Sequence, residues 1–303
     1  MTANVMRWVL ACELAFYALV SYALLRFFAA PAGCVGATVL LLALSGRALV
    51  IAITFLFARR YAAAAPPDRR IGWGRALRML LEEYLSFVVL FSLLIPFFAR
   101  RVSAQAIARQ SASLPVLLIH GYQCNRAAWW WLQARLARTG LQVATLDLEP
   151  MFADIDSYVP QVAQNIEALC AATGAARIAL VGHSMGGLVA RAYLRRHGVG
   201  RVAKLITLGS PHHGSELAHL AMGLNGAQMR PGSAWLAALN APGAVPLPDD
   251  SVAIYSCHDN YVMPQDSARL EGASNVPLAG IGHLAMVFSG EIERLLIAEL
   301  KKA

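Results

Sequence analysis

Three apolar stretches in the first hundred residues restrict this chain more than anything that follows them. Trp8 to Ala30, Val35 to Phe57 and Met79 to Ala99 are each close to the ~20 residues a helix needs to cross a hydrocarbon core. The composition agrees: 57% hydrophobic and 15% charged, with a mean hydropathy of +0.51, is too apolar for an ordinary soluble protein of 303 residues. Three membrane spans are expected. The small-residue run Ala29-Ala30-Pro31-Ala32 offers a cleaved signal peptide as the alternative for the first, but Arg26 interrupts the apolar stretch and two more follow. Arg47, near the middle of the second stretch, calls for an inward orientation, a partner such as Glu13, or snorkelling.

The formal charge of +8 raises nucleic acid as a partner, and its distribution removes it. Residues 1–110 hold twelve Arg and four acids, whereas residues 111–303 hold fourteen bases and fourteen acids. The excess is a property of the apolar segment, with no interleaved aromatics of a nucleic-acid pattern. Modest Pro and Gly and five Cys exclude collagen-like, disordered and disulfide-scaffold classes. The Arg residues read as a topology signal, with anionic lipid headgroups as the alternative. With three spans, Arg7 and the loop carrying Arg59, Arg60, Arg69, Arg70, Arg75 and Arg78 share one side, seven Arg against Arg100, Arg101 and Arg109 on the other, or four with Arg26. This places the loop in the cytoplasm and the C-terminal part outside it.

The organisation that follows is a membrane domain over 1–103, a linker over 104–112 and a domain over 113–303 long enough for its own core. Short β-branched runs alternate with amphipathic stretches, the pattern of a mostly parallel sheet covered by helices. Strands are expected at Pro115 to Ile119, Gln142 to Leu146, Arg177 to Val181, Val202 to Leu208, Val252 to Tyr255 and Val276 to Leu278. Helices are expected at Arg126 to Thr139, Val159 to Thr173, Gly187 to His197 and Leu284 to Lys302. Glu216 to Pro248, rich in Gly, Pro and Ala, reads as a lid-like insertion over the carboxyl edge of the sheet.

One strand runs directly into Gly182-His183-Ser184-Met185-Gly186-Gly187 and then a helix. This is G-x-S-x-G in the strand, turn and helix context of a nucleophile elbow, where the turn leaves no room for side chains at the glycines and presents the Ser184 hydroxyl at a helix N-terminus. A serine hydroxyl needs a base, and the base needs a carboxylate to hold its tautomer. In the chain order Ser, acid, His, the base is His283, which follows the last strand; His183 and His197 read as structural and His219 as a solvated or lid residue. Asp259, just past the strand Val252 to Tyr255, is preferred as the acid to Asp266, and Asp249 and Asp250 precede that strand. The oxyanion would meet the N–H groups of Met185 and, after the first strand, Tyr122; His120 reads as structural.

Together, His120-Gly121-Tyr122, the elbow, Gly209-Ser210-Pro211-His212-His213-Gly214, Asp259 with Val262, and Gly282-His283 resemble the bacterial α/β-hydrolase lipases and esterases of the triacylglycerol lipase type, over about residues 113–300. The resemblance implies an α/β-hydrolase sheet of about six strands lacking two leading strands, and structural roles for His212 and His213 below the lid. Joined to the spans and the Arg count, this bacterial resemblance makes the expected location the inner membrane, multi-pass, with the hydrolase domain on the extracytoplasmic side; the fused membrane segment itself lies outside the secreted-lipase pattern. Cys124 stands where the commoner His-Gly-x-x-Gly opening has its second Gly. Trp129, Trp130 and Trp131 read as an acyl-pocket border, as interfacial anchors or as ordinary packing, and Cys124 and Cys257 as a disulfide or, by default, as unpaired thiols. No Cys or His spacing resembles a zinc site, and no cofactor is called for. The expected function is a membrane-anchored serine hydrolase cleaving carboxylic esters of lipid or other apolar substrates through an acyl-enzyme. A lipid acyltransferase with the same triad and a non-catalytic membrane scaffold are the alternatives. Membrane lipids are expected as surroundings; the oligomeric state is left open.

Overall fold

The structure is a computed structural model describing residues 1–63, 66–103 and 113–302. The linker expected over 104–112 lies outside the described residues. Chain order runs α1 (Thr2–Phe28), α2 (Ala32–Arg60), α3 (Trp73–Val89) continuing through a π-helical turn at Leu90–Leu94 into the short α4 (Ile95–Phe97). The sheet region follows with β1 (Val116–Ile119), α5 (Trp130–Arg138), β2 (Val143–Thr145), α6 (Val159–Thr173), β3 (Ile178–His183), α7 (Met185–His197) and β4 (Val202–Leu208). Then come α8 (Gly223–Gln228), α9 (Ala234–Leu239), β5 (Val252–Ser256), β6 (Ser274–Leu278) and α10 (Gly290–Leu300). All six strands expected from the sequence are present, within a few residues of the expected bounds.

The strands form one parallel sheet in the order β2-β1-β3-β4-β5-β6. β1 to β5 are buried on both faces, as a parallel sheet covered by helices requires, while β6 at the edge is only partly covered. Alternation divides the residues between two cores: Val116, Leu118, Ala179 and Val181 pack on one face, Leu117, Ile119, Ile178 and Leu180 on the other. After β1 the chain goes outward to β2 and returns to the opposite flank of β1 as β3. The carboxyl ends of β1 and β3 therefore bound the switch point where α/β folds build their sites.

The single closing helix expected over Leu284 to Lys302 is corrected. A 3-10 turn, Leu284–Phe288, comes first, and α10 starts afresh at Gly290 because Ser289 Oγ accepts the N–H groups of Glu291 at 3.2 Å and Ile292 at 3.4 Å. The insertion at Glu216 to Pro248 carries α8, α9 and a 3-10 turn over Glu216–Leu220.

By length and hydropathy, Thr2–Phe28, Ala32–Arg60 and Trp73–Phe97 could each cross a membrane. They differ in what covers them. None of the most apolar window of α1 and 11% of that of α2 is buried in the molecule, against 33% for the third. Met79, Glu83, Ser86, Leu90 and Leu94, spaced to share one helix face, are buried, and Leu90, Leu94 and Ile95 belong to the same core as β1, α5 and α10. Contacts run along the whole segment: Arg75 Nη2 donates to the Ala279 carbonyl at 2.7 Å, and Asn125 Nδ2 to the Ile95 carbonyl at 2.8 Å. The Met1 amino group pairs with Glu149 at 2.9 Å, and the Ala63 N–H donates to Gln265 Oε1 at 3.1 Å.

Beside the expected three-span arrangement, the structure adds that the start of α1, the end of α2 and both ends of the α3 segment all contact the sheet domain. Hydropathy identifies an apolar helix but does not distinguish a face turned to lipid from one turned to a protein core. Among the three readings of Arg47, pairing is the one observed: Nη2 reaches Glu13 Oε2 at 2.8 Å and Nε reaches Ser92 Oγ at 3.2 Å, joining all three helices.

With native cysteines replaced, cysteines introduced at Asp68 and Glu271 are expected to react with an impermeant maleimide from the same face of sealed vesicles. Labelling from opposite faces would support the three-span arrangement.

Candidate active site

β3 ends in a turn so tight that neighbouring backbone fills the space of two side chains. A Cβ on Gly182 would fall 2.5 Å from the Gly187 nitrogen, and one on Gly186 would collide with the Ile119 carbonyl oxygen. Ser184 sits between them at φ 55°, ψ −128°, a conformation that costs an L-residue and that the packing on both sides enforces. The turn places Ser184 directly before the first residue of α7, Met185, where helix N–H groups are unpaired by geometry. From the end of β1, Gly121 approaches so closely that a Cβ there would lie 2.8 Å from Ser184 Cβ. Tyr122, next in that loop, lines the same cavity as Ser184 and His283.

His283 is 3% and Asp259 2% exposed, with Nδ1 of the histidine 2.8 Å from Oδ2 of the aspartate. The other oxygen, Oδ1, accepts the N–H groups of Tyr261 and Val262 at 2.8 Å each, which aims the carboxylate at the ring. Asp266, Asp249 and Asp250 are exposed. Burial alone would lower the His283 pKa; the charge and hydrogen bond of Asp259 overcome it and leave the imidazole above the ordinary histidine value. The backbone is held as well. The His283 N–H donates to Asn260 Oδ1 at 3.1 Å, and its carbonyl lies 3.1 Å from His183 Nε2. The rings of His183 and Tyr261 flank the imidazole with centroids at 4.7 and 5.2 Å. Burial, then the adjacent His283 charge, drives the His183 pKa well down, so His183 serves as a neutral donor to that carbonyl.

The other histidines are engaged elsewhere. His120 bridges the Gly121 carbonyl at 2.8 Å and the Leu148 N–H at 3.0 Å, and burial lowers its pKa. His212, fully buried, meets Thr207 Oγ1 at 3.0 Å, while His213 and His219 are exposed. Cys124 and Cys257 are free thiols, so the disulfide alternative is not what the structure has; burial pushes Cys124 up to about 12. Of the three tryptophans, Trp129 is buried edge-on to the His183 ring, Trp130 is 45% exposed, and Trp131 lies under the Arg135 guanidinium.

The cavity over Ser184, about 240 Å³, has a largely apolar wall that includes Leu217, Leu220 and Met222 from the insertion. Tyr122 fastens that insertion: its hydroxyl donates to the Met222 carbonyl at 2.8 Å and accepts the Met222 N–H at 2.9 Å. One wall residue, Phe91, comes from the π-helical turn after α3, a contribution the sequence reading did not foresee. It also missed Asn260, whose Nδ2 donates to Thr54 Oγ1 of α2 at 2.8 Å, and Glu83 of α3, which meets the turn following His283.

The all-parallel sheet, the elbow after β3 and the loops after β5 and β6 define an α/β-hydrolase fold. A sequence profile for palmitoyl protein thioesterase matches residues 115–240. Triacylglycerol lipases of Pseudarthrobacter phenanthrenivorans and Burkholderia plantarii are each 34% identical to this chain over 112 residues, 34% of its length. Those matches span only about a third of the relatives, 35% and 31% of their lengths. Among solved structures, the mature lipase of Bacillus licheniformis superposes with a TM-score of 0.57 at 19% identity, covering 64% of this chain and 95% of that one. Lipase B of Aspergillus fumigatus gives 0.58 at 19% identity, covering 67% and 57%.

In a histidine NMR titration, His283 is expected to titrate above the ordinary histidine range. Asp259→Asn removes the charge that opposes burial, so the titration should move below that range. A titration unmoved by the substitution would deny the coupling.

Proposed function

We propose that the protein is a serine hydrolase of apolar acyl esters, working through an acyl-enzyme on the triad Ser184, Asp259 and His283. The observation that carries this reading is a single cavity bordered by Ser184 and His283, with Asp259 buried 2.8 Å behind the histidine. In the proposed reaction, Ser184 Oγ attacks the acyl carbonyl as His283 Nε2 takes its proton. The C–O bond to the leaving alcohol then breaks, and the alcohol departs with that proton. Water, deprotonated by the same histidine, hydrolyses the acyl-serine and releases the acid. Asp259 keeps Nδ1 protonated and stabilises the imidazolium. The N–H groups of Tyr122 and Met185 are the proposed oxyanion donors. The apolar wall suits an acyl chain, in keeping with the triacylglycerol lipases the chain resembles. The thioesterase profile favours a second reading in which the scissile bond is a thioester; the acyl-enzyme is the same and the leaving group is a thiol.

The reading includes an anchor. On the exposed faces of α1 and α2, Leu14, Leu19, Leu41 and Leu56 are each 60% or more exposed, a surface suited to lipid rather than water. Both free ends of this hairpin return to the sheet domain, so two helices enter the bilayer and α3 stays with the domain. Because the Arg-rich segment lies on the domain's side, the positive-inside rule places the hydrolase domain at the cytoplasmic face.

Purified protein should label with a fluorophosphonate and hydrolyse long-chain p-nitrophenyl esters, and Ser184→Ala should abolish labelling and lower kcat by roughly 10⁴-fold or more. Undiminished hydrolysis by Ser184→Ala would refute the assignment. Matched acyl esters and acyl thioesters, compared by kcat/KM, decide between the two leaving groups.

A further inference from the structure

We infer that Glu83, a residue of α3, is a positioning residue for His283, so that the N-terminal helices are part of the active site and not only its anchor. This inference rests on the hydrolase reading above. Glu83 is 0% exposed, and its two oxygens accept the N–H groups of the two residues after the histidine: Leu284 on Oε1 at 3.0 Å and Ala285 on Oε2 at 2.9 Å. These are first-turn donors of the Leu284–Phe288 turn, groups with no partner inside the turn itself. The residue before the histidine is shaped to the same carboxylate, because a Cβ on Gly282 would collide with Glu83 Oε2.

A carboxylate buried in an apolar helix is costly, and an aliphatic residue there would pack against the domain at less cost. What the acid adds is direction. Two charge-assisted hydrogen bonds fix the turn's first residues in rotation and depth, which apolar contact does not. α2 contributes the complementary support. Thr54 Oγ1 receives Asn260 Nδ2, and Asn260 Oδ1 receives the His283 N–H. His283 is thus tied to α2 on its amino side and to α3 on its carboxyl side. The groups facing it are Asp259 at Nδ1, the rings of His183 and Tyr261 on its flanks, and Glu83 behind the backbone. Burial raises the Glu83 carboxyl to about 7 against the pull of the two N–H groups, so near and above neutral pH it carries a charge that also favours the imidazolium.

The test is steady-state kinetics of full-length protein in detergent, with Glu83→Gln and Gly282→Ala beside wild type and Ser184→Ala. Glu83→Gln removes the charge and sets an amide NH₂ against an N–H donor; Gly282→Ala keeps the charge and displaces the carboxylate. Each is expected to lower kcat about 100-fold with KM nearly unchanged, the scale of loss when a catalytic group is misplaced by about 1 Å. For Glu83→Gln the acidic limb of kcat/KM should move to lower pH, since the wild-type limb includes protonation of Glu83 near pH 7, a step the amide lacks, and the base also loses the Glu83 charge. A purely structural role would leave that limb in place. Wild-type kcat in both variants, or a loss confined to KM, overturns the inference. Where Glu83→Gln fails to reach a cooperative thermal melt, Gly282→Ala carries the test with the same two outcomes. Absence of fluorophosphonate labelling in wild type, or its persistence in Ser184→Ala, would instead sink the hydrolase reading itself.

Discussion

Backbone touching backbone at the carboxyl ends of β1 and β3 is the constraint on which the site depends. Gly121, Gly182 and Gly186 each stand where a Cβ would meet atoms of the neighbouring segment. Because those positions are bare, the loop after β1 and the turn after β3 close on each other, and Ser184 is forced outward between them. The strained φ of Ser184 is maintained by close packing rather than by any side-chain bond, so its geometry is as rigid as the two central strands. Everything else the chemistry needs must be brought to that fixed point.

Bringing the histidine is the harder problem, because β6 is an edge strand. A loop leaving an edge has a strand neighbour on one side only, and its backbone groups lack partners on the other. α3 supplies the missing side. Arg75 takes the Ala279 carbonyl, Glu83 takes the Leu284 and Ala285 N–H groups, and Phe91 reaches the cavity about two turns further along. A helix apolar enough to be read as a membrane span thereby does the work of a neighbouring strand, which explains why Glu83 faces the domain while Leu77, Leu81 and Leu85 face away.

The strands and the elbow were legible because local rules decide them: β-branched runs, glycines with no space for Cβ, and chain order in a parallel sheet all act over short distances. Asp259 was legible for the same reason, lying just past a strand end with Val262 three residues on to cap it. The break at Ser289 had a visible signal, a serine before Gly-Glu-Ile, that a continuous apolar pattern concealed. Glu83 was visible too, as an acid four residues into an apolar stretch, yet nothing local says which of two surroundings satisfies it. The side on which the sheet domain lies depends on what α3 packs against, a long-range fact that a count of Arg residues does not contain. The same counting rule, applied to two inserted helices rather than three, gives the opposite face.

The proposed hairpin of α1 and α2 raises a further question, namely what sets its angle against α3. Apolar faces in lipid attract without direction, and little distinguishes one rotation of a smooth helix from another. Arg47 resolves this. Its guanidinium spans Glu13 on α1 and Ser92 in the π-helical turn after α3, and breaking such a pair in apolar surroundings leaves a charge with a penalty of several kcal/mol. Ser92 lies nine residues beyond Glu83 on the same continuous helical segment, about 13 Å at 1.5 Å per residue. A rotation of the hairpin strong enough to pull Ser92 would also turn the face that carries Glu83, and with it the turn that holds His283. The polar contacts therefore form one connected path from the apolar N-terminal helices to His283, the proposed base. They also explain why charges are retained in segments where composition alone favours none.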